Sequence, residues 1–183
     1  MTIFARLVIV FWVCFYLYWA ISARGTKKVV HRANRWVGFG TVVVVIIAIL
    51  ISKLPAFEVQ LIPRTDGVMA SGTVVCGLGI AFAIWARKHL GNNWSREPSI
   101  QAGHELVTSG PYRFVRHPIY TGILAAILGS VLVGGTVWLI MFAGILLMFV
   151  WRVKTEEEFM THLFPQQYPD YKKRTKALIP FVW

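Results

Sequence analysis

Residues 119–151 read IYTGILAAILGSVLVGGTVWLIMFAGILLMFVW and carry no charged side chain. A helix needs about 20 apolar residues to cross the hydrocarbon core of a bilayer, so this stretch is too short for two full spans and a loop. Gly134 and Gly135 interrupt it near its middle. We therefore predict a tight helical hairpin over residues 119–151.

Three further apolar segments of spanning length lie upstream, at residues 3–21, 37–54 and 68–86. The chain has 183 residues, 56% of them hydrophobic and only 15% charged, which is not the composition of an ordinary soluble domain. The prediction is an all-α polytopic membrane protein with about five transmembrane helices. The first segment ends in Arg24 and Lys27 rather than a small-residue cleavage site, so we expect the mature protein to retain it. Cys14 and Cys76 lie inside predicted spans, where packed thiols are expected rather than a disulfide.

The net charge of +11 is distributed unevenly between the loops. Basic residues crowd the segments 24–35 and 87–116, whereas the loop around 54–67 mixes both signs. The positive-inside rule then places the amino terminus outside and the basic loops and tail in the cytoplasm, at the inner membrane if the source is bacterial. Most of the positive charge is assigned to topology and to anionic lipid head groups, and no nucleic-acid partner is expected.

The chain is predicted to form a single membrane domain over residues 1–183. Residues 1–86 form a three-helix anchor, and residues 87–183 form a polar region that includes the hairpin and a cytoplasmic tail. A loop of about thirty residues opens the polar region, and loops that long are functional or disordered. Its aromatic residues, prolines and histidines favour an ordered loop that faces a ligand. After the hairpin, residues 152–163 are predicted to form an amphipathic helix that leaves the membrane.

Residues 104–122 read HELVTSGPYRFVRHPIYTG and are the most informative polar stretch. Gly110 and Pro111 indicate a turn, and Pro118 can begin a helix because the first helical position needs no amide donor. His117 would then lie at the amino-terminal edge of that helix. The free amides and positive dipole end there favour a carboxylate, such as an amino-acid-like cofactor carries.

Residues 154–158 read KTEEE and place three acids in a row just outside the membrane. Their mutual repulsion is costly unless a cation or hydrogen-bond donors lie nearby, so a cationic ligand is one interpretation. The alternative is that the acids only solvate the first turn of a helix and complement its dipole. Lys154 and Glu158, four residues apart, would in that case form a surface ion pair.

Together these segments resemble the isoprenylcysteine carboxyl methyltransferase family and its phospholipid methyltransferase relatives, from about residue 90 to 181. The shared features are an arginine-histidine-proline-x-tyrosine motif, the downstream glutamates and a basic tyrosine-rich tail. The tail motif is matched by Tyr168, Tyr171, Lys172, Lys173, Arg174, Pro180 and Phe181. The resemblance implies an S-adenosylmethionine pocket lined by His104, Leu106, Val107, Tyr112, His117, Pro118 and Tyr120. It also implies that a glutamate contacts this cofactor, with Glu158 as the best match and Glu157 as its neighbouring alternative.

The implied function is methyl transfer from S-adenosylmethionine to a lipophilic or lipid-linked acceptor at the cytoplasmic membrane face. The cationic candidates for orienting an anionic acceptor are Arg116, Arg152 and Lys154, with Arg116 alternatively serving the fold of its loop. The family's arginine before the threonine-glutamate run is replaced by Lys154, and Arg152 stands two residues earlier. Lysine keeps the charge but loses the planar grip on a carboxylate, which puts isoprenylcysteine as the acceptor in question.

Two other classes of function are open at this point. Sterol reductases that use NADPH end in a related glycine-proline-tyrosine and arginine-histidine-proline segment, but they are much longer. A non-catalytic small membrane subunit or transporter would explain the hydrophobicity but not the polar loop. No metal site is predicted, because the five histidines show no ligand spacing with the cysteines or acids.

Overall fold

The computed structural model describes residues 1–22, 29–32, 46, 50, 62–91, 99–101 and 106–183. Its α-helices are α1 (Ile3–Ser22), α2 (Asp66–Leu90), α3 (Pro118–Gly134), α4 (Thr136–Leu163) and α5 (Gln167–Arg174). A short 3₁₀ helix covers Gly110–Arg113, and two short strands are β1 (Val29–Arg32) and β2 (Ser99–Gln101).

Three of the described helices, α1, α2 and α4, are long and apolar enough to cross a membrane. Helix α3 is also apolar but has 17 residues, about 25 Å of helix, which is shorter than a typical hydrocarbon core. The prediction of a helical, polytopic membrane protein is therefore confirmed. The predicted span at residues 37–54 lies outside the described residues, apart from residues 46 and 50.

The hairpin predicted from residues 119–151 is formed by α3 and α4. One residue, Gly135, separates the two helices and has a φ of +77°, a left-handed conformation that glycine adopts without steric cost. The guanidinium of Arg64 donates a hydrogen bond of 3.2 Å to the carbonyl of Gly134 and so ties the preceding loop to the hairpin. Helix α4 continues without interruption to Leu163, so the second arm and the predicted amphipathic helix are one element.

Helices α2 and α3 pack closely because glycines line the seam between them. A Cβ atom placed on Gly79 would lie 2.6 Å from the carbonyl oxygen of Gly122, and one on Gly129 would lie 2.4 Å from the amide nitrogen of Cys76. Only a residue without a side chain allows the two backbones to come this near, as is common between membrane helices. This contact fixes the height of α3 against α2.

Helix α1 packs against both α2 and α3. The indole nitrogen of Trp12 donates to the hydroxyl of Ser130 in α3 at 3.0 Å, which satisfies two polar groups inside an apolar bundle. At the other end, Arg87 donates to the carbonyls of Gly91 at 2.9 Å and Ser22 at 2.8 Å. Arg87 therefore joins the carboxyl ends of α1 and α2, where the helix dipoles favour a cation.

Strands β1 and β2 pair antiparallel, with Val29 opposite Gln101 and Arg32 opposite Ser99. This small ribbon was not predicted from the sequence. Helix α2 ends at Leu90, four residues beyond the predicted limit of the anchor at residue 86. The division into an anchor and a polar region stays a prediction.

Candidate functional site

The loop before α3 is fixed to the end of α2 and to α5. Gly110 has a φ of +59°, and the 3₁₀ helix that follows it buries Pro111 and Tyr112. The backbone carbonyl of Tyr112 accepts a hydrogen bond of 2.6 Å from the hydroxyl of Tyr171 in α5. His89 at the end of α2 contacts the Ser109 hydroxyl at 2.9 Å. The turn that glycine and proline predicted is therefore present.

The segment after α5 holds the backbone just before α3. The amide of Arg116 donates to the carbonyl of Lys176 at 2.8 Å, and the amide of His117 donates to that of Ala177 at 3.0 Å. The Thr121 hydroxyl donates to the Leu178 carbonyl at 2.6 Å. Pro118 is the first residue of α3, as predicted, and His117 is its N-cap residue. The position of His117 therefore depends on contacts with residues sixty positions later in the chain.

A polar cluster lies where the loop before α3 meets α4 and α5, and it consists of Arg116, His117, Tyr120, Arg152, Glu156, Glu157 and Lys172. Glu156 of α4 is the centre of one half of this cluster. Its carboxylate accepts a hydrogen bond of 2.6 Å from the Tyr120 hydroxyl and one of 2.7 Å from Nε of Arg152. Nδ1 of His117 lies 3.4 Å from the other carboxylate oxygen. Arg152 and Glu156 are four residues apart, so they share one face of α4 and form an ion pair along it.

Glu157 is the centre of the other half. Both Nε and an Nη atom of Arg116 lie 2.7 Å from Oε1 of Glu157, and each side chain is only 8% exposed. Nζ of Lys172 lies 2.7 Å from Oε2, but the Lys172 side chain is 52% exposed. Arg116 also donates to the carbonyls of Lys172 and Thr175, at the carboxyl end of α5. Arg116 therefore links α3, α4 and α5.

Aromatic rings stack between these two ion pairs and the apolar bundle. The rings of His117 and Tyr120 are parallel, with centroids 5.5 Å apart, and Tyr120 stacks on Phe149 at 4.4 Å. The guanidinium of Arg152 lies over the Tyr120 ring, 5.6 Å from its centroid. This packing reduces the freedom of the polar groups and keeps their geometry fixed.

The protonation of His117 is governed by opposing effects. Burial lowers the pKa of its imidazole, but the two carboxylates of Glu156 and Glu157 beside its ring nitrogens raise it, and the net pKa lies above the ordinary value. Nε2 of His117 is buried, lies 3.6 Å from Oε1 of Glu157, and has no hydrogen-bond partner among the described residues. It is an unsatisfied polar group that points into the cluster.

The structure brings some of the predicted site residues together and leaves others apart. Those that meet in the cluster or support it directly are Arg116, His117, Pro118, Tyr120, Arg152 and Glu157. Tyr112 is buried beneath them, and Val107 packs against the same small apolar cluster as Tyr112. Leu106 lines a groove beside α5, and His104 lies outside the described residues. Lys154 and Glu158 are exposed side chains on α4.

Glu156 and Lys172 lie in the cluster but were not predicted as site residues. Arg152 four residues before Glu156 was a usable signal, because that spacing pairs opposite charges on one helix face. Of the two cationic candidates on α4, the structure places Arg152 in the cluster and Lys154 at the surface. Lys172 was recognised only as part of the tail motif, and no local pattern indicated its contact with Glu157, because that contact joins two separate helices.

A polar groove lies beside the cluster, between the loop before the 3₁₀ helix and α5. Its volume is about 340 Å³, and it is lined by Leu106, Thr108, Gln166, Gln167, Asp170, Tyr171 and Arg174. Tyr171 connects the groove to the site, because its hydroxyl bonds the carbonyl of Tyr112. Burial is the main reason that the pKa of Tyr171 lies well above its ordinary value, so the phenol stays protonated and donates.

Comparison with known proteins identifies the family of more than half of the chain. Residues 68–167 match the family model described as phospholipid methyltransferase. The chain is 37% identical over 81 residues to a protein-S-isoprenylcysteine O-methyltransferase of Schizosaccharomyces pombe, a match that covers 43% of this chain and 34% of the relative. It is 36% identical over 81 residues to protein-S-isoprenylcysteine O-methyltransferase B of Arabidopsis thaliana, covering 43% of this chain and 41% of the relative.

A solved structure resembles most of the chain. It is that of the eukaryotic intramembrane Ras methyltransferase, isoprenylcysteine carboxyl methyltransferase, with a TM-score of 0.58 and 25% sequence identity. The superposition covers 82% of this chain and 55% of that structure. The chain thus spans little more than half of its structural neighbour and matches less than half the length of the two curated relatives.

Proposed function

We propose that this chain, which belongs to the phospholipid methyltransferase family, transfers a methyl group from S-adenosylmethionine to a lipophilic or membrane-associated acceptor. The observation that carries the proposal is the adjacent pair Glu156, partly buried, and Glu157, buried, beside His117 and Tyr120 within the matched part of the chain. The aromatic wall and two adjacent carboxylates offer stacking surface and acceptors for a cationic ligand rich in hydroxyl groups.

The residues present fit the proposed cofactor. S-adenosylmethionine supplies a methyl group on a sulfonium, which needs no further acid catalysis to leave. Its ammonium and ribose hydroxyls need hydrogen-bond acceptors, which the carboxylates of Glu156 and Glu157 can supply. Its carboxylate needs donors, and the buried Nε2 of His117 has no hydrogen-bond partner among the described residues. Among the described cations that contact Glu157, Lys172 is the half-exposed one, so an entering ammonium can replace it at the least cost in buried contacts.

In this proposal the chain's own residues act by positioning and by excluding water. Arg152 and Arg116 hold the carboxylates of Glu156 and Glu157 in place, and the rings of Tyr120 and Phe149 close the apolar side. Methyl transfer requires the donor and acceptor to be held in line at near contact distance, and such alignment supplies much of the rate enhancement. A polar cluster that is already fixed by packing serves that purpose.

The acceptor in the proposal is an amphiphile that enters from the bilayer. The relatives' names make an isoprenylcysteine the first compound to test, and the family name makes a phospholipid amine the second. Arg152 is the better candidate than Lys154 for steering an anionic acceptor, because it lies in the cluster and Lys154 does not. The proposed topology puts this end of the bundle in the cytoplasm, following the basic loops.

The direct test is calorimetric titration of S-adenosylmethionine and, separately, NADPH into the detergent-purified chain. Saturable binding of S-adenosylmethionine alone is expected. Replacing Glu156 by glutamine should weaken it about tenfold or more, since a hydrogen bond to a charged group contributes about 1.5–3 kcal/mol. Glu158→Gln, at an exposed position on the same helix, is the matched control and should bind as the wild type does.

Other outcomes would redirect the proposal. Binding of NADPH alone would indicate a reductase, and binding of neither ligand by folded protein would indicate a non-catalytic role. A loss confined to Glu158→Gln would move the cofactor contact to that residue. Once binding is established, transfer of labelled methyl groups in proteoliposomes identifies the acceptor, with an isoprenylcysteine analogue and phosphatidylethanolamine compared in parallel.

A further inference from the structure

The turn Ile179–Trp183, called here the apolar turn, presents apolar side chains outward from a closed backbone. The amides of Leu178 and Ile179 donate to the carbonyl of Trp183, and the amide of Trp183 donates back to Ile179. Phe181 has a φ of +66°, a left-handed conformation that costs free energy in a bulky residue. Phe181 is nevertheless 96% exposed and Val182 is 70% exposed. A strained turn that displays apolar side chains in this way indicates a contact surface.

The place of the apolar turn in the fold identifies what it contacts. Leu178, directly before the turn, is 1% exposed and belongs to the same hydrophobic cluster as Ile145 and Phe149 of the spanning helix α4. The carbonyl of Leu178 accepts a hydrogen bond from Thr121 in the first turns of α3. The apolar turn therefore begins beside the membrane-spanning helices, at the end of the bundle where α3 starts. In a membrane protein the head-group layer is adjacent to the ends of the spanning helices.

The charges beside the apolar turn fit the same partner. The Lys173 side chain is 76% exposed and lies 3.0 Å from the exposed carboxylate of Asp170, and Lys176 and Arg174 are exposed as well. Exposed aromatic and aliphatic side chains flanked by lysines are the pattern of a segment that rests in the head-group layer. Each lysine or arginine near an anionic membrane surface adds attraction.

We propose that the apolar turn inserts into the interfacial layer of the bilayer and that Lys173, Arg174 and Lys176 bind anionic lipid head groups beside it. The insertion places Phe181 and Val182 among the acyl chains. The carbonyls of Lys176 and Ala177 hold the amides of Arg116 and His117, so this lipid contact is made by the segment that also holds the proposed site. The proposal concerns a membrane-binding surface and does not depend on the reaction catalysed.

Depth-dependent quenching in vesicles tests the insertion. A Cys14→Ser background leaves only the fully buried Cys76, and an environment-sensitive fluorophore is attached at Val182→Cys. Leu147→Cys, 71% exposed on the spanning part of α4, provides the lipid reference. Gln166→Cys, exposed just after α4, provides the solvent reference. With phospholipids brominated on their acyl chains, quenching at Val182 should match that at Leu147 and exceed that at Gln166 several-fold.

Quenching at Val182 no stronger than at Gln166 would overturn the insertion. Energy transfer between labels on different copies that exceeds the level expected for random mixing, and that persists when the protein is diluted with lipid, would assign the turn to a second copy instead and would overturn it equally. Thermal unfolding of each labelled variant establishes that it is folded.

The electrostatic part is tested by vesicle composition. Phosphatidylglycerol should move the Val182 label deeper into the bilayer than phosphatidylcholine does, and the triple variant Lys173→Gln, Arg174→Gln, Lys176→Gln should abolish that difference. Arg6→Gln removes a cation near the start of α1, at the opposite end of the bundle, and should leave the difference intact. Equal depth in both lipids for the wild type would overturn the anionic-lipid contact.

Discussion

Replacing Glu157 by glutamine probes the ion pair that joins three helices. Glutamine keeps the shape of the side chain but removes the charge that faces two nitrogens of Arg116 at 2.7 Å. Breaking one partner of a buried ion pair costs about 3–5 kcal/mol, because the other charge stays buried. Arg116 keeps its hydrogen bonds to the carbonyls of Lys172 and Thr175, so we expect a loss of stability at the lower end of this range, about 3 kcal/mol. The Lys172 contact is half-exposed and adds only about 0–1 kcal/mol.

For a chain of this size, each kcal/mol lowers Tm by about 2–4 °C, so Glu157→Gln should lower it by about 6–12 °C. The assay is thermal unfolding of the purified protein in one detergent at one scan rate, followed by tryptophan fluorescence. Glu158→Gln changes an exposed neighbour in the same way, and its free energy of unfolding should lie within about 0.5 kcal/mol of the wild-type value. Equal Tm values for the two variants would refute the reasoning that Glu157 compensates a buried arginine.

Two further predictions concern His117 and the helix seam. The pKa of His117 is raised in the folded protein, above about 6.5 in the unfolded chain, so its ion pairs stabilise fully below that pH and are lost as pH rises through the folded value. Tm should therefore fall from mildly acidic to alkaline pH, and His117→Gln should flatten this slope; an unchanged slope would contradict the assignment. Gly79→Ala would bring a Cβ within 2.5 Å of the Ala126 amide and should cost about 1–3 kcal/mol in thermal unfolding. Gly67→Ala on the same helix meets no atom within 4 Å and should be neutral or slightly stabilising, and equal loss in both would exclude seam packing as the cause.

The hairpin could be predicted because its signals are local. An uncharged stretch of this limited length can form two membrane helices only if they are closely connected, and a glycine pair marks the place where the chain reverses. The turn at Gly110 and the helix start at Pro118 were predictable for the same reason, since both depend on the backbone preferences of the residue itself. The ribbon of β1 and β2 joins segments about seventy residues apart and leaves no such local signal.

Which of Glu156, Glu157 and Glu158 faces the cluster depends on how α4 is rotated about its own axis. Consecutive helical residues point about 100° apart, so one run of acids covers most of the helix circumference. Phe149, Val153 and Glu157 are buried and follow one another at intervals of four residues, so they lie on one face of α4. Arg152 and Glu156 are also four residues apart and share a face. The sequence alone does not give this rotation, because it does not show which face of α4 packs inward. Cofactor contact by Glu158 stays a prediction, and the described contacts place its neighbours in the cluster instead.

The position of the cluster follows from the packing of the bundle. The glycine seam sets the height of α3 against α2, and with it the height of Tyr120, in the first turn of α3. The hairpin at Gly135 sets the height of α4, and Glu156 lies about 30 Å farther along that helix. The hydrogen bond of 2.6 Å between Tyr120 and Glu156 requires both heights to be correct together. A shift of α3 by one residue would move Tyr120 about 1.5 Å along the helix and turn it about 100° around the axis, which would break that contact, so the apolar helices determine the geometry of the polar site.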